Sequence, residues 1–106
     1  MKYRKITQED VYKLLVGISV SVMNTFDCIN IVNIASLLKT SRYQVKKYID
    51  ELKNQGMVEL VCVDISSEDE PYPPYLGYVL TKKGRDTHFY REAEQKETEL
   101  IKEIFG

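Results

Sequence analysis

Two short helical patterns joined by a very tight turn constrain the fold of this chain more than any other feature of its sequence. Apolar residues recur at helical spacing over 32–38 and again over 42–55, and only Lys39, Thr40 and Ser41 separate the two segments. A small residue on the first segment, Ala35, allows the helices to approach closely. Helices connected so tightly must pack against each other, so a helix-turn-helix is predicted at 31–56.

The second helix of this motif carries its own start and stop signals. Ser41 is predicted to cap its first turn, with Gln44 completing a capping box. Gly56 follows the last turn and is a favoured residue for ending a helix. The apolar stripe that faces the first helix consists of Val45, Ile49 and Leu52. Polar and charged side chains are therefore predicted on the opposite face.

Further elements are predicted on the N-terminal side of the motif. Residues 7–10 resemble a capping box and open a helix over 8–23. The second half of that helix is apolar nearly all round, which predicts burial on two sides. A turn-like break at 24–27 follows, and then a short extended piece at 28–31.

A hairpin and a long helix are predicted on the C-terminal side. Residues 57–65 are rich in Val, Leu and Ile and form one predicted strand, and 75–80 form the other. The three prolines and three adjacent acids within 66–74 predict a loop between them. Thr81 is predicted to cap one final helix that runs to about residue 105.

The predicted fold is mainly helical α+β, in the order helix, short strand, helix, helix, strand, strand, helix, with a long C-terminal helix. At 106 residues the chain has the usual size of one domain. A single domain is therefore predicted over 1–106, with a core at 8–80, the helix-turn-helix at 31–56, a hairpin at 57–80 and a C-terminal helix at 81–106.

The net charge of −1 hides an uneven distribution of charge along the chain. Residues 39–56 carry five cations and two acids, a local balance of +3. Residues 64–70 carry four acids and no cation. A protein of this kind can bind phosphates through one basic face while it stays neutral as a whole.

Several classes of function lack support in the sequence. Cys28 and Cys62 stand outside any Cys-x-x-Cys spacing, so no metal site, disulfide framework or cofactor is expected. His88 is the only histidine and has no catalytic partner fixed by spacing, so the chain is not expected to be an enzyme. The most apolar stretch, 14–23, is shorter than the roughly 20 residues of a membrane span, and the first residues lack a secretory signal. A cytoplasmic protein without membrane association is expected.

Two segments of the chain resemble the winged helix family of bacterial regulators, broadly of the MarR and PadR type. The first runs from Ile34–Leu38 through Thr40, Ser41, Val45 and Leu52 to the exit Asn54–Val58. The second is Tyr78–Arg85, which is similar to the way such domains leave the second wing strand and enter the last helix. The resemblance covers roughly residues 8–90 and implies a winged helix-turn-helix fold.

The resemblance implies that the second helix of the motif, 42–55, enters the major groove of double-stranded DNA. Its first residues would then meet base edges: Ser41, Arg42, Tyr43 and Gln44. Arg pairs bidentately with guanine and Gln with adenine. Three lysines would neutralise phosphates: Lys39, Lys46 and Lys47. The implied function is sequence-specific binding by a small bacterial, phage or plasmid-type transcriptional regulator.

The predicted loop at 66–74 departs from the family's pattern. DNA-contacting wings commonly carry Arg, Lys or Gly, whereas Glu68, Asp69 and Glu70 would be repelled by phosphates. Either this loop points away from the duplex or it contacts a protein partner. Two alternatives therefore stay open: a winged helix used as a protein–protein interaction module, and a DNA-replication or accessory protein with the same fold.

The residues at the end of the last helix indicate that the protein forms an oligomer. After the mostly charged stretch 91–99 it carries four apolar residues, Leu100, Ile101, Ile104 and Phe105. A small winged core does not need such a tail, so a homodimer held by this helix is expected. The alternative is that the tail folds back on the first helix of its own chain.

Overall fold

The structure is a computed structural model that describes residues 3–21, 28–63, 69 and 73–105. Within those residues the chain forms α1 (Gln8–Val20), α2 (Ile31–Leu38), α3 (Arg42–Asn54), β1 (Val58–Val63), β2 (Tyr75–Leu80), α4 (Lys82–Arg85) and α5 (His88–Phe105). This confirms the mainly helical α+β class and the winged helix-turn-helix order with a long C-terminal helix. None of the described helices is long and apolar enough to cross a bilayer.

Helix α1 begins with the predicted capping box. The Thr7 hydroxyl accepts from the Asp10 N–H at 3.3 Å, and the Asp10 carboxylate accepts from the Thr7 N–H at 2.9 Å. That bond from the Thr7 backbone is the main reason why the pKa of Asp10 lies below its ordinary value. The helix ends at Val20 rather than at residue 23, and residues 22–27, with the predicted break, lie outside the described part of the chain.

The core lies where α1, α2 and α3 meet the base of the hairpin. The predicted stripe on α3, formed by Val45, Ile49 and Leu52, is confirmed as buried. Its neighbours in the core are Ile6, Val11, Leu15, Val16, Ile29, Ile34, Ala35, Val58 and Leu80. Burial of each large aliphatic side chain is worth about 1.5–3 kcal/mol, so the core fixes how α3 lies on the domain.

Strands β1 and β2 form an antiparallel hairpin. Their register runs from Val58 opposite Leu80 to Val63 opposite Tyr75. Strand β1 begins one residue later than the predicted strand at 57–65, whose residues 64 and 65 lie outside the described part of the chain. The predicted extended piece at 28–31 contributes an isolated bridge, in which Ile29 and Tyr78 exchange hydrogen bonds of 2.8 and 3.2 Å. The strands pack against the core at the base of the hairpin, where Val58 and Leu80 are buried.

The single final helix predicted from Thr81 onward is wrong, because the structure contains two helices there. Thr81 caps only the short α4. The helix is interrupted between Arg85 and His88. At the start of α5 the Thr87 hydroxyl accepts from the Tyr90 N–H at 3.1 Å. The hydroxyl of Tyr12 on α1 donates to the Gly84 carbonyl at 2.8 Å and lies 2.6 Å from the Thr87 hydroxyl. These bonds hold the break against the core.

Candidate nucleic-acid interface

The turn between α2 and α3 is closed by backbone hydrogen bonds at a residue in the left-handed region. Lys39 has φ 55° and ψ 46°, and its N–H donates to the Ser36 carbonyl at 3.3 Å. The N–H of Thr40 donates to the Ala35 carbonyl at 3.0 Å. The left-handed conformation is unfavourable for a lysine, so the turn depends on these backbone hydrogen bonds for its stability. The result is the tight connection that the sequence predicted.

The outer face of α3 collects most of the predicted DNA-contacting residues. Arg42, Tyr43, Lys46 and Lys47 are all exposed, and 78% of the Tyr43 surface is open to solvent. They lie on the first two turns, opposite the buried stripe, and Lys39 is exposed just before them. Ser41 is half-buried, and its hydroxyl accepts from the Gln44 N–H at 3.2 Å. Ser41 therefore has the predicted capping role.

Charged neighbours differ among the cations of this face. Lys46 pairs with Asp50 one turn on, at 3.1 Å. The ammonium of Lys47 lies 5.4 Å from the centre of the Tyr48 ring, a cation–π contact. Arg42 makes no ion pair with any described residue. An exposed pair such as Lys46–Asp50 is worth about 0–1 kcal/mol, so Lys46 can exchange its partner for a phosphate at little cost.

The side chain of Gln44 is half-buried and hydrogen-bonded within the protein. Its Nε2 donates to the Thr40 hydroxyl at 2.8 Å and to the Arg4 carbonyl at 3.2 Å, and its Oε1 accepts from the Ile6 N–H at 3.4 Å. The second half of the predicted capping box, from this side chain back to Ser41, is therefore replaced by contacts with the N-terminal segment. Both amide hydrogens are in use, and adenine recognition requires one of them.

The segment that holds Gln44, Tyr3–Ile6, was missed by sequence reasoning. The N–H of Arg4 donates to the Lys39 carbonyl at 2.9 Å, and Ile6 is buried in the core. The side chains of Arg4 and Lys5 are exposed. The available signal was the basic run before Thr7, but nothing local in it shows that it crosses the helix-turn-helix.

Little of the predicted acidic loop falls within the described residues. Asp69, Pro73 and Pro74 are described and exposed, and the rest of 66–74 lies outside them. The hairpin below the loop exposes Leu60 and Leu76. These two residues share a face of the sheet, because they lie an even number of positions from the paired residues Val58 and Leu80.

The first turns of the C-terminal helix contact α1. The rings of Phe89 and Tyr12 are 6.1 Å apart, and the hydroxyls of Tyr90 and Ser19 are 3.0 Å apart. At the other end Ile101 is half-buried, whereas Leu100, Ile104 and Phe105 are exposed, the last two at 64% and 80%. Three of the four residues predicted for dimerisation are thus exposed in the single chain.

Comparison with known proteins supports the fold. No protein-family model matches the chain, and no curated protein matches it. Among solved structures it is similar to the crystal structure of RV1404 from Mycobacterium tuberculosis, at 23% identity and a TM-score of 0.53. The match covers 92% of this chain, which spans 59% of the length of RV1404. At this identity the likeness shows a shared architecture.

The exposed face of α3 carries cationic and hydrogen-bonding side chains. It offers a guanidinium, a phenol and ammonium groups on one exposed helix face. Among the described residues, no group of three or more His, Cys, Asp or Glu side chains is close enough to hold a metal ion. His88, far along the chain on α5, pairs with Glu92 at 2.9 Å on an exposed surface.

Proposed function

We propose that this protein binds double-stranded DNA in a sequence-specific manner, as a small cytoplasmic transcriptional regulator broadly of the MarR and PadR type. One observation carries the proposal: Arg42, Tyr43, Lys46 and Lys47 lie exposed on the first two turns of α3, opposite a stripe that is fully buried. A helix of 13 residues is about 20 Å long, and the major groove of B-DNA admits one helix.

The residues of this face divide between base reading and phosphate binding. Arg42 has an uncommitted guanidinium at the start of α3, where base edges are met, and Tyr43 stands beside it. Lys39 and Lys47 are suited to binding phosphates. Lys46 can bind a phosphate as well once its ion pair with Asp50 is broken. Ser41 caps the helix with its hydroxyl oxygen, at the same end as Arg42 and Tyr43.

We also propose that the regulator is a homodimer in which α5 supplies the contact. The exposed apolar end of α5, formed by Leu100, Ile104 and Phe105, needs a cover that its own α1 does not provide. A two-fold dimer would place two copies of α3 on half-sites that are about 34 Å, or one helical turn, apart.

The proposal is tested by measuring the affinity for a mixed-sequence DNA duplex by fluorescence anisotropy across a salt series. The wild-type affinity is expected to fall steeply as salt rises, and Lys47→Ala is expected to flatten the slope by about 0.9 for one lost phosphate contact. Lys96→Ala, which removes an exposed cation from α5, is the matched control and leaves the slope unchanged. A wild-type protein that does not bind the duplex even at low salt contradicts the proposal.

A protein-interaction module is the second candidate, because the hairpin exposes Leu60 and Leu76 below an acidic loop. Such a module would leave the anisotropy of every duplex unchanged in the same assay. A replication or accessory protein would bind duplex DNA through the same face, and selection from a random duplex library separates it from a regulator. A regulator enriches a defined sequence, with a symmetric pair of half-sites if it acts as a dimer.

A further inference from the structure

The segment Tyr3–Ile6 is fixed to the helix-turn-helix by the N–H and the carbonyl group of one residue, Arg4. The N–H of Arg4 donates to the Lys39 carbonyl at 2.9 Å. The carbonyl of Arg4 accepts from the Thr40 hydroxyl at 2.7 Å and from Gln44 Nε2 at 3.2 Å. A connection that merely leads into α1 does not require three hydrogen bonds to a different motif.

The residues that make this attachment are set inside the protein. Thr40 is buried, and its hydroxyl both donates to Arg4 and accepts from Gln44. Ile6 is fully buried in the core two residues further on. A buried hydroxyl that is satisfied in both directions holds its partners in one geometry. The segment therefore keeps a fixed position beside the start of α3.

The fixed segment places two further cations beside the proposed DNA-binding face. Arg4 and Lys5 have exposed side chains, and the main chain of Arg4 adjoins Lys39 and the first turn of α3. The acids nearest in sequence are engaged elsewhere. Glu9 pairs with Lys13 at 3.0 Å, and the Asp10 carboxylate accepts from the Thr7 N–H. The charge of Arg4 also lowers the pKa of Asp10, after the bonds from Thr7.

We propose that Tyr3–Ile6 is a second DNA-contacting element, whose Arg4 and Lys5 neutralise duplex phosphates at the edge of the groove that α3 enters. The inference rests on the proposed function and adds a partner surface that the helix-turn-helix alone does not supply. Long cationic side chains on a fixed backbone reach phosphates without reading bases, so this element adds affinity for every sequence alike.

Thr40 and Gln44 are then positioning residues for this element. Their side chains hold the main chain of Arg4, and Gln44 reaches the main chain of Ile6 as well. Gln44→Ala is expected to weaken binding to all duplexes by a similar factor and to leave the preferred sequence unchanged. A changed preference at one base position would instead make Gln44 a base-reading residue and overturn this role.

The element is tested with the double variant Arg4→Ala/Lys5→Ala, measured on a mixed-sequence duplex across a salt series. Arg4 is attached through its main chain alone, so the variant keeps the attachment and an unchanged thermal midpoint verifies this. The matched control is Arg91→Ala/Lys96→Ala, which removes the same charge from exposed positions on α5 that precede its apolar end. The expected result is an affinity lower by about three- to tenfold and a salt slope smaller by about 1.8, with the control near wild type.

Three outcomes would count against the element, and they are distinguishable. An unchanged double variant, in a protein whose Lys47→Ala variant does lose affinity, overturns the inference and leaves the proposed function standing. An equal loss in the α5 control shows that net charge alone is responsible and overturns it too. If the wild-type protein does not bind the duplex, that result contradicts both the proposed function and this inference.

Discussion

Arg42 and Gln44 lie two residues apart at the start of α3, yet their side chains differ in what they are free to do. Arg42 is exposed and has no ion-pair partner among the described residues. Gln44 uses its amide group to hold Arg4, Ile6 and Thr40. In the proposed complex with DNA, recognition of a particular base sequence is therefore expected to depend chiefly on Arg42.

Replacement of Arg42 by Ala is expected to weaken binding to the selected sequence by about 1–3 kcal/mol, because a bidentate base contact is lost. Binding to mixed-sequence duplex should fall much less, so the ratio of the two affinities narrows. Competition between the two duplexes measures this ratio. Lys47→Ala is the comparison and lowers both affinities by a similar factor. A preserved ratio in Arg42→Ala would show that the groove contact lies elsewhere.

Two glycines give opposite expectations for stability. A Cβ on Gly84 would lie 2.1 Å from the Met57 carbonyl oxygen, so Gly84→Ala is expected to destabilise the fold by at least about 1–3 kcal/mol. A Cβ on Gly17 within α1 meets nothing within 4 Å, so Gly17→Ala is expected to stabilise it by about 0.5–1 kcal/mol. Urea unfolding measures both. A Gly84→Ala variant as stable as wild type would mean that α4 does not approach Met57 closely.

At the element scale, what could be predicted from the sequence was local. The caps at Thr7 and Ser41 bind residues three positions away, so they can be recognised from a short window. The break between α4 and α5 could not, because 81–105 is rich in helix-forming residues and the hydroxyl that holds the break belongs to Tyr12. The attachment of Tyr3–Ile6 to Gln44 was missed for the same reason, since its partners lie 38–40 positions apart.

The acidic loop is expected to contribute nothing favourable to DNA binding. Glu68→Gln, Asp69→Asn and Glu70→Gln together should leave the affinity unchanged or raise it, because removal of negative charge near phosphates reduces repulsion. Anisotropy on the mixed-sequence duplex at low salt measures the effect, where screening is weakest. A large fall in affinity would mean that the loop makes a direct and productive contact.

At the scale of the whole molecule, the exposed end of α5 is expected to contribute to dimer formation and not to the folding of the single chain. Since Leu100, Ile104 and Phe105 are exposed in the single chain, their loss leaves the monomer's core intact. Each such side chain is worth about 1.5–3 kcal/mol when a partner buries it, so both copies together can hold a dimer.

Deletion of residues 99–106 is therefore expected to give a folded monomer that binds a single half-site weakly. Analytical ultracentrifugation at micromolar concentration measures the change against the full chain, and circular dichroism checks the fold. A full chain that is already monomeric contradicts the dimer. A truncated chain that unfolds would show that the tail completes the core of its own subunit.

Whether α3 lies against duplex DNA is tested most directly by following the backbone amide NMR signals of the isotope-labelled protein during titration with a mixed-sequence duplex. The largest shifts are expected over Lys39–Lys47 and at Arg4 and Lys5, with little change over the second half of α5. The result that would contradict this arrangement is either a spectrum that the duplex does not alter or shifts centred on the exposed face of the hairpin around Leu60 and Leu76.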